Sequence, residues 1–487
     1  MSPFSNPDWL LTTPLSRTLY HAHAAGSPLI DYHSHVDPGS LANNAPFNDL
    51  GEMWVRHDPY KHRAMRLLGV PESRITGGGG SRLLFKDWAA VSPSLAGNPL
   101  HDWSRLELQR VFGIDTPLCP ATADSIWAET QERLEEPALS PRGRLRACGV
   151  ETVCSSDGPL DDLTHHRLYA ESAGADDAVL RPSLRGDLLT GLGEPDAHAT
   201  CDRLAELTGV STNDFDGFCA AVAHRLDLFH NHGCRIADHA IDRCDATLTP
   251  VGEAKAGGLY DRWRSGAHID DATCRALQSS VLVWLAGQYR RRGWSLLLHI
   301  GAQRQTSSRL CKLAGPAGGY AALGPPTDTA ALAGLLDAME QRDALPRTVL
   351  FNLNPADNAA FATLTGSFAR DGEPGYVSWG PTWWFNDHAL GIDAHLDTTA
   401  AFSLLAVFPG MTTDARSLLS MHRHEYFRRL LCDWIGREAE AGRMPSDEAT
   451  LGPLLRRMLY DNPARLLSGS SESTLTPTQE DTRVASL

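Results

Sequence analysis

The sequence predicts an α/β protein built as a (β/α)8, TIM-like barrel with a helical insertion after the first strand. Eight short apolar segments rich in β-branched residues recur along the chain, and each ends in polar residues. Most are separated by stretches long enough for a helix, which is typical of parallel strands joined by helical crossovers. The 487 residues are enough for one such barrel with an insertion.

The eight predicted strands follow one another with helical segments between them. Each strand is apolar up to its polar end, as expected for a parallel sheet that is buried on both faces. The clearest helices between them are predicted over residues 279–293 and 327–343. The predicted strands cover residues 29–35, 150–157, 178–185, 234–240, 295–301, 348–354, 376–384 and 408–416.

The chain divides into four predicted parts. Residues 1–35 form an N-terminal segment and the first barrel strand, and residues 36–149 form a mainly helical insertion over the carboxyl ends of the strands. Residues 150–467 supply the rest of the barrel and the C-terminal helices. Residues 468–487 are rich in serine and threonine without apolar periodicity, which predicts a disordered tail.

Composition excludes several classes of function. The formal net charge of −15 argues against nucleic acid as a partner, because phosphate binding needs a basic surface. No apolar run is long enough to cross a bilayer, and the N-terminus lacks a signal-peptide pattern, so we expect no membrane partner. Ten scattered cysteines without a C-x-x-C spacing indicate reduced thiols. These features predict a cytoplasmic protein.

The stretch DYHSHVDP, residues 31–38, places two histidines at the end of the first predicted strand. Residues i and i+2 of a strand point the same way, so His33 and His35 share a face and Ser34 takes the other. Neutral imidazoles are natural ligands of a divalent ion such as zinc. The alternative is a pair of polar residues at a strand end, because an H-x-H spacing alone is common.

Polar and aromatic residues also end other predicted strands. An anionic ligand from Asp414 would complete a His-His-Asp metal set with open positions for water or substrate. Each residue alone has a simpler interpretation, such as a helix cap, a surface salt bridge or a buried structural histidine. Their common position at one end of the barrel favours a site. They are Arg185, His299, Trp383, Trp384, Asp414 and Arg416.

The scarcity of lysine narrows the chemistry. The chain has four lysines, and none of them lies on a predicted strand. A lysine Schiff base in the barrel and a carboxylated lysine bridging two metals are therefore not expected. The predicted site holds one divalent metal ion, zinc, bound by His33, His35 and Asp414.

Longer motifs identify a known family. The chain resembles uronate isomerase (glucuronate isomerase) of the amidohydrolase superfamily from about Pro28 to about Leu466. The motifs, in order, are DYHSHVDP, DPYKHRAMRLLGV, GNPLHDWSRLELQRVFGI, HGCRIADHAID, YRRRGWSLLLHIGAQR, LFNLNPADN, WWFND and TTDARSLLSMHRHEYFRR.

The resemblance implies a barrel of the amidohydrolase type and an aldose–ketose isomerase. It would convert D-glucuronate to D-fructuronate and D-galacturonate to D-tagaturonate. Hexuronates would be its partners, and we expect a homo-oligomer. The positions that match the family's metal site are His33, His35 and Asp414. Those that match its substrate and catalytic contacts are Tyr60, Arg185, His299, Trp383 and Arg416.

Three positions depart from the common pattern of the family. Pro59 stands where many members have histidine, which leaves open which residue of the insertion touches the sugar. Ser34 stands where many have cysteine, and it should point away from the metal. Gly186 stands where many have proline, which we expect to loosen the loop that holds Arg185.

Moving a proton from C2 to C1 through a cis-enediol needs one base on one face of the sugar. Asp414 is the predicted base; Arg416 and the metal favour its ionised form. His299 or Tyr60 would carry the oxygen proton. Arg185 is the predicted partner of the substrate carboxylate, since guanidinium binds carboxylate bidentately. Trp383 would pack on the sugar.

Two other functions stay open at the level of the sequence. A hydrolase could use the same scaffold and a metal-bound water against an amide, ester or lactone. A sugar-acid-binding protein without activity could retain the barrel, although it would be expected to have lost metal ligands or Arg416. The role of the metal is also open: it could bind substrate oxygens, or hold Asp414 and a water in place.

Overall fold

The computed structural model describes residues 5–469 of the chain. All of the predicted disordered tail except its first two residues lies outside these described residues. The strands are β1 (Leu29–Asp31), β2 (Val150–Cys154), β3 (Val179–Arg181), β4 (Leu184–Arg185), β5 (Ile236–Ile241), β6 (Ser295–Ile300), β7 (Ala302–Gln303), β8 (Ala322–Leu323), β9 (Thr348–Asn352) and β10 (Val377–Trp379).

The strands form a parallel run in chain order. One sheet has the order β1-β2-β3, and a second has the order β10-β9-β6-β5-β4. A parallel bridge between Asp157 and Leu184 joins the two, and the amide of Arg185 donates to the carbonyl of Asp157 at 2.8 Å. The short strands β7 and β8 pair antiparallel outside this run. The parallel α/β architecture predicted from the sequence is confirmed.

The eighth predicted strand differs from the prediction. Residues 408–416 form no strand, yet they lie against the end of β1. The amide of Asp414 donates to the carbonyl of His33 at 3.1 Å, and the amide of His35 donates to the carbonyl of Ala415 at 2.8 Å. Asp414 has a φ of 51°, which is incompatible with an extended strand. This irregular segment therefore follows the last strand of the run and contacts the first.

Other strands also differ from their predicted extents. The first ends at Asp31, so His33 and His35 lie just beyond it, and the segment predicted over residues 178–185 is split into β3 and β4. The strand predicted over residues 376–384 ends at Trp379, so Trp383 and Trp384 lie after the strand and not at its end. The central strand β6 is buried at all six of its residues. Such continuous burial is expected of a parallel strand with helices on one side and a filled interior on the other.

Helices supply the crossovers, the insertion and the C-terminal layer. Eight of them lie between β1 and β2, where the helical insertion was predicted, while the exact boundaries of the four predicted parts stay predictions. The α-helices are α1 (Pro14–Leu19), α2 (Pro38–Asn43), α3 (Leu50–Trp54), α4 (Pro59–Leu67), α5 (Glu72–Ile75), α6 (Ser81–Val91), α7 (Pro99–Phe112), α8 (Ala123–Arg133), α9 (Pro141–Ala147), α10 (Thr164–Ser172), α11 (Asp187–Thr190), α12 (Ala197–Thr208), α13 (Phe215–Asn231), α14 (Glu253–Arg264), α15 (Asp271–Arg291), α16 (Ser308–Ala314), α17 (Thr329–Glu340), α18 (Asn358–Ser367), α19 (Ala389–Phe402), α20 (Arg423–Glu440), α21 (Glu448–Arg456) and α22 (Asn462–Leu467).

The insertion shares its core with both ends of the chain. Trp54 of α3 and Trp88 of α6 are fully buried in the same apolar cluster as Leu431 of α20. Burying such large side chains contributes roughly 1.5–3 kcal/mol each. This packing fixes α4, which begins beside the strand ends. In the described part of the chain, no helix is both long enough and apolar enough to span a membrane.

Candidate active site

One cavity of about 370 Å³ lies at the carboxyl ends of the parallel strands, where barrel folds place their chemistry. The structure brings every residue that the sequence singled out for the site to its wall. Their roles stay predictions. These nine lining residues are His33, His35, Tyr60, Arg185, His299, Trp383, Trp384, Asp414 and Arg416.

The turn after β1 aims both histidines into the cavity. Ser34 is held on the other side, since its amide and its hydroxyl both donate to the carbonyl of Cys154 at 3.0 and 2.7 Å. The Nε2 atoms of His35 and His33 lie 3.0 and 3.5 Å from one oxygen, Oδ1, of Asp414. The two histidines and the carboxylate therefore converge on one point.

The donor set fits a metal ion. One potential ligand atom from each of His33, His35 and Asp414 lies within 4.8 Å of the others. Asp238 and His299 make a second such group with His33. Two nitrogen donors and a carboxylate oxygen are what zinc accepts in catalytic sites. The buried Nε2 of His299 has no hydrogen-bond partner in the described residues, as expected of a polar group that awaits a ligand.

Charge and burial set the protonation of this group. Burial alone would raise the pKa of Asp414, but its hydrogen bonds to His33 and His35 hold the pKa well below the usual range. Burial lowers the pKa of His35 to about 4. Burial also lowers the pKa of His299, to well below its ordinary value. Burial lowers the pKa of His33, but its hydrogen bond to Asp414 and the charge of Asp238 raise it overall. The site thus offers an ionised carboxylate beside the neutral imidazoles of His35 and His299, and a metal ion would bind His33 with release of its proton.

The unusual backbone of Asp414 is held from β1. The fully buried carboxylate of Asp31 accepts hydrogen bonds from the hydroxyls of Thr412 and Thr413, both at 2.5 Å, and from the amide of Thr413 at 3.0 Å. The indole of Trp384 donates to Asp414 Oδ2 at 2.8 Å. These contacts stabilise a left-handed residue that would otherwise cost roughly 1–3 kcal/mol.

We expect Asp31→Asn to lower the free energy of unfolding by roughly 1.5–3 kcal/mol, because a neutral amide would replace a buried carboxylate that accepts hydrogen bonds from Thr412 and Thr413. Burial raises the pKa of Asp31, but His424 and the threonine hydroxyls lower it overall. A lowered native pKa contributes stability above the unfolded pKa of about 3.9, and that contribution is lost as the pH falls. Urea titrations at pH 7 and in acid should therefore show a difference that shrinks in acid.

The control for this prediction is Asp214→Asn. Asp214 caps the exposed start of α13 by accepting from the amide of Gly217. Asparagine caps a helix about as well as aspartate does, so this variant should keep the wild-type stability. Equal losses in the two variants, or a loss at Asp31 that grows in acid, would contradict the assigned role of Asp31.

Arg185 ends β4 and reaches the cavity wall. Its Nε donates to Asp187 Oδ2 at 2.8 Å, and its amide is fixed by Asp157. The expectation that Gly186 loosens this turn does not agree with the geometry. The amide of Gly186 donates to the carbonyl of Asp238 at 2.9 Å, a bond that proline has no hydrogen to make, so the glycine ties β4 to β5.

The remaining predicted residues surround the same space from four directions. The ring of His299 lies 4.7 Å from that of His33 and 5.0 Å from that of Trp383, measured between centroids. Tyr60, from the start of α4, has a buried hydroxyl with no partner in the described residues, and Pro59 beside it also lines the cavity. Arg416 is exposed at the cavity rim. Burial raises the pKa of Tyr60, which therefore keeps its proton.

The sequence interpretation missed several lining residues. Asp238 is buried on β5 and faces the cavity, and it was detectable as an acidic residue near the carboxyl end of a predicted strand. Arg63 and Arg304 also line the cavity, from the insertion and from the segment after β6. No spacing in the sequence indicates these two arginines, because they reach the cavity from a helix and a loop.

The fold and the site together define a class of protein. A parallel α/β fold whose strand ends gather histidines, carboxylates and arginines in one cavity is the architecture of an enzyme with a potential metal site. The model of the family described as glucuronate isomerase matches residues 1–467. The chain belongs to the glucuronate isomerase family, and it is an isomerase.

Individual relatives agree with this assignment along nearly the whole chain. The uronate isomerase of Marinomonas sp. (strain MWYL1) is 39% identical over 463 residues, covering 95% of this chain and 98% of the relative. That of Vibrio vulnificus (strain YJ016) is 40% identical over 467 residues, covering 96% and 99%. The crystal structure of uronate isomerase from Thermotoga maritima is 30% identical, covers 95% of this chain and 99% of its own, and superposes with a TM-score of 0.87. The predicted family and fold class are confirmed.

Proposed function

We propose that this enzyme interconverts D-glucuronate with D-fructuronate and D-galacturonate with D-tagaturonate, by proton transfer through a cis-enediol. The observation that carries the proposal is the convergence of an ionised carboxylate, Asp414, with Arg185 and Arg416 on the wall of one cavity. Its volume of about 370 Å³ suits a six-carbon sugar acid. A hexuronate needs a cation for its carboxylate and a base near C2, and this cavity offers both.

His33, His35 and Asp414 would hold one divalent metal ion, and we propose zinc. Such an ion, when bound, would stabilise negative charge that develops on substrate oxygens. Asp414 Oδ1 faces the histidines, while Oδ2 accepts from Trp384. The carboxylate is therefore held from both sides. Because its pKa is low, it is a weak base, and its effectiveness would come from being fixed close to the bound sugar.

The protons move between the substrate and two side chains. Asp414 takes the hydrogen of C2 as a proton and returns it to C1 on the same face. A second proton must leave the C2 oxygen and reach the C1 oxygen. We assign this transfer to His299, because its buried Nε2 is unpartnered and its low pKa keeps the imidazole neutral. Tyr60 stays protonated and can donate a hydrogen bond to the sugar.

Binding and orientation fall to residues on other strands. Arg185 would pair with the C6 carboxylate, because the two ends of a guanidinium match the two oxygens of a carboxylate. Arg416 lies two residues after the base and would stabilise the enediolate charge. Trp383, whose ring lies tilted against that of His299 at 5.0 Å, would pack on the carbon face of the sugar.

NMR spectroscopy of D-glucuronate with the enzyme in D₂O tests the proposal. We expect the ketose to form and deuterium to appear at C1, because a carboxylic acid in a wet site exchanges its proton. A panel of lactones and amides serves as the comparison. Hydrolysis of one of these without any ketose from either uronate would contradict the proposal and favour a hydrolase on the same scaffold.

We expect Arg185→Met to raise KM for both uronates about tenfold to a hundredfold, with a smaller change in kcat, because a charge-assisted bidentate contact is lost. Steady-state kinetics measure both constants. The control is Arg292→Met, which removes an arginine paired with Asp227 at 2.7 Å outside the cavity. A KM that stays at the wild-type value in Arg185→Met would move carboxylate recognition to Arg416.

We also propose a cytoplasmic location. The ten cysteines all lie in the described residues and all are unpaired, which agrees with a reducing compartment. The predicted homo-oligomer stays a prediction.

A further inference from the structure

Asp187 lies behind the arginine that faces the proposed sugar carboxylate. It is the first residue of α11, two positions after Arg185. Its Oδ2 accepts from Arg185 Nε at 2.8 Å, and its Oδ1 accepts from the amide of Ala240, on β5, at 2.7 Å. One carboxylate thus joins the end of β4, the arginine side chain and the end of the neighbouring strand.

This arrangement fixes the guanidinium by one edge and leaves the other available. Within residues 5–469, no hydrogen bond engages the terminal nitrogens of Arg185. Those two nitrogens form the fork that a carboxylate binds bidentately. An arginine side chain has many rotamers, so a fixed Nε lowers the conformational entropy that ligand binding must remove.

Asp187 also competes with other acids for the arginine. Asp238 is the register partner of Arg185 between β4 and β5, and it lines the cavity. Burial lowers the pKa of Arg185, but Asp238 and Asp187 outweigh this effect and raise it. Without Asp187, the guanidinium would be drawn towards Asp238 inside the cavity. Its fork would then be occupied by the protein itself.

The turn that carries Asp187 has little freedom. A Cβ atom at Gly186 would lie 2.1 Å from Cε1 of His239, so the turn is packed against that ring. His239 is in turn held by a hydrogen bond of 2.9 Å between its Nε2 and the hydroxyl of Tyr289. The position of the Asp187 carboxylate is therefore set by the barrel wall and not by a mobile loop.

We propose that Asp187 is a positioning residue that holds Arg185 in the conformation that recognises the substrate carboxylate. This inference rests on the proposed function, in which Arg185 binds the C6 carboxylate. Asp187 itself does not touch the sugar. It determines that the site prefers a sugar acid over the neutral sugar of the same shape.

The test is a double-mutant cycle of Asp187→Asn and Arg185→Met. Asparagine has one side-chain oxygen, so it can accept a hydrogen bond from Arg185 or from Ala240 but not from both. Its NH₂ group would then face the remaining donor. We expect Asp187→Asn to raise KM for D-glucuronate about tenfold with kcat little changed, since one charge-assisted hydrogen bond is lost. Added to Arg185→Met, the same change should have no further effect on KM.

Two inhibitors separate positioning from a structural role. L-gulonate is D-glucuronate with its aldehyde reduced, so it retains the C6 carboxylate, whereas D-glucitol carries a neutral CH₂OH there. We expect Asp187→Asn to weaken inhibition by L-gulonate about tenfold and to leave that by D-glucitol unchanged. The control is Asp227→Asn, which breaks a comparable pair with Arg292 outside the cavity and should change neither.

Each outcome decides between the two assignments. If Arg185→Met raises KM but Asp187→Asn weakens both inhibitors equally, or adds its full effect to Arg185→Met, the inference fails and the proposed role of Arg185 survives. If Arg185→Met leaves KM unchanged, that role fails and takes the inference with it. Should Asp187→Asn not fold, Asp187→Ser, which is smaller and neutral, must show the same selective loss for L-gulonate.

Discussion

Asp414→Asn should lose nearly all turnover of both uronates, with kcat roughly 10²–10⁴-fold below the wild type, the usual contribution of a positioned general base. Asparagine keeps the shape of the side chain and an oxygen that faces His33 and His35, but it cannot accept the C2 proton. KM should change much less, because Arg185 and Trp383 lie on other elements. Steady-state kinetics and metal analysis of the same sample measure the two effects separately.

A matched control exists for this substitution. Asp397 accepts a hydrogen bond from the indole of Trp434 at 2.8 Å, as Asp414 does from Trp384, but it lies on α19 outside the cavity. Asp397→Asn should therefore keep wild-type activity. Substantial turnover by metal-loaded Asp414→Asn would rule out Asp414 as the base. Retention of the C2 hydrogen by the wild type, without exchange, would point to a hydride shift or a shielded base.

The sequence predicted those site residues that lie at or just after the end of an apolar, strand-like segment. His33, His35, Arg185 and His299 each close or follow an apolar segment, and the structure places all four around one cavity. The spacing of the histidines alone would not have sufficed. The H-x-H pattern also occurs at residues 21–23, in the π-helical segment Tyr20–Ala24, where His21 and His23 pair with acids outside the cavity.

Other features depend on contacts that no local pattern records. Asp31 and Thr412 are 381 positions apart in sequence, yet their hydrogen bond holds Asp414. Residues 408–416 have the apolar composition of a strand, but the threonine side chains bind Asp31 and the backbone turns at Asp414. Local propensity predicted an extended segment, and tertiary contacts replaced it with an irregular one.

Asp187 shows a further limit of sequence interpretation. It appeared only as part of a turn whose glycine was expected to loosen Arg185. The structure shows the opposite, because the glycine amide and both Asp187 oxygens are bonded to β5 or to Arg185. A residue that acts through another side chain carries no signal of its own until the two are seen together.

The double variant His33→Ala, His35→Ala should purify without bound metal and with no measurable isomerase activity, while it remains folded. Two of the three predicted ligands are removed, and a lone carboxylate does not retain zinc at ordinary concentrations. Both imidazoles line the cavity, so their loss enlarges it and leaves the apolar core clusters intact. Metal analysis, circular dichroism and thermal unfolding would be measured on protein prepared alongside the wild type.

The second H-x-H pair provides the control for this last prediction. His21→Ala with His23→Ala removes two histidines of the same spacing, which bond to Asp8 and Glu448 at 2.9 and 2.8 Å away from the cavity. That variant should keep both metal and activity. A metal-replete His33→Ala, His35→Ala protein would contradict the ligand assignment and direct attention to Asp238 and His299, which form a second potential ligand group with His33. Loss of metal from both double variants would also contradict the assignment. Only His33 and His35 converge on Asp414, so removal of His21 and His23 should not affect a metal ion in the cavity.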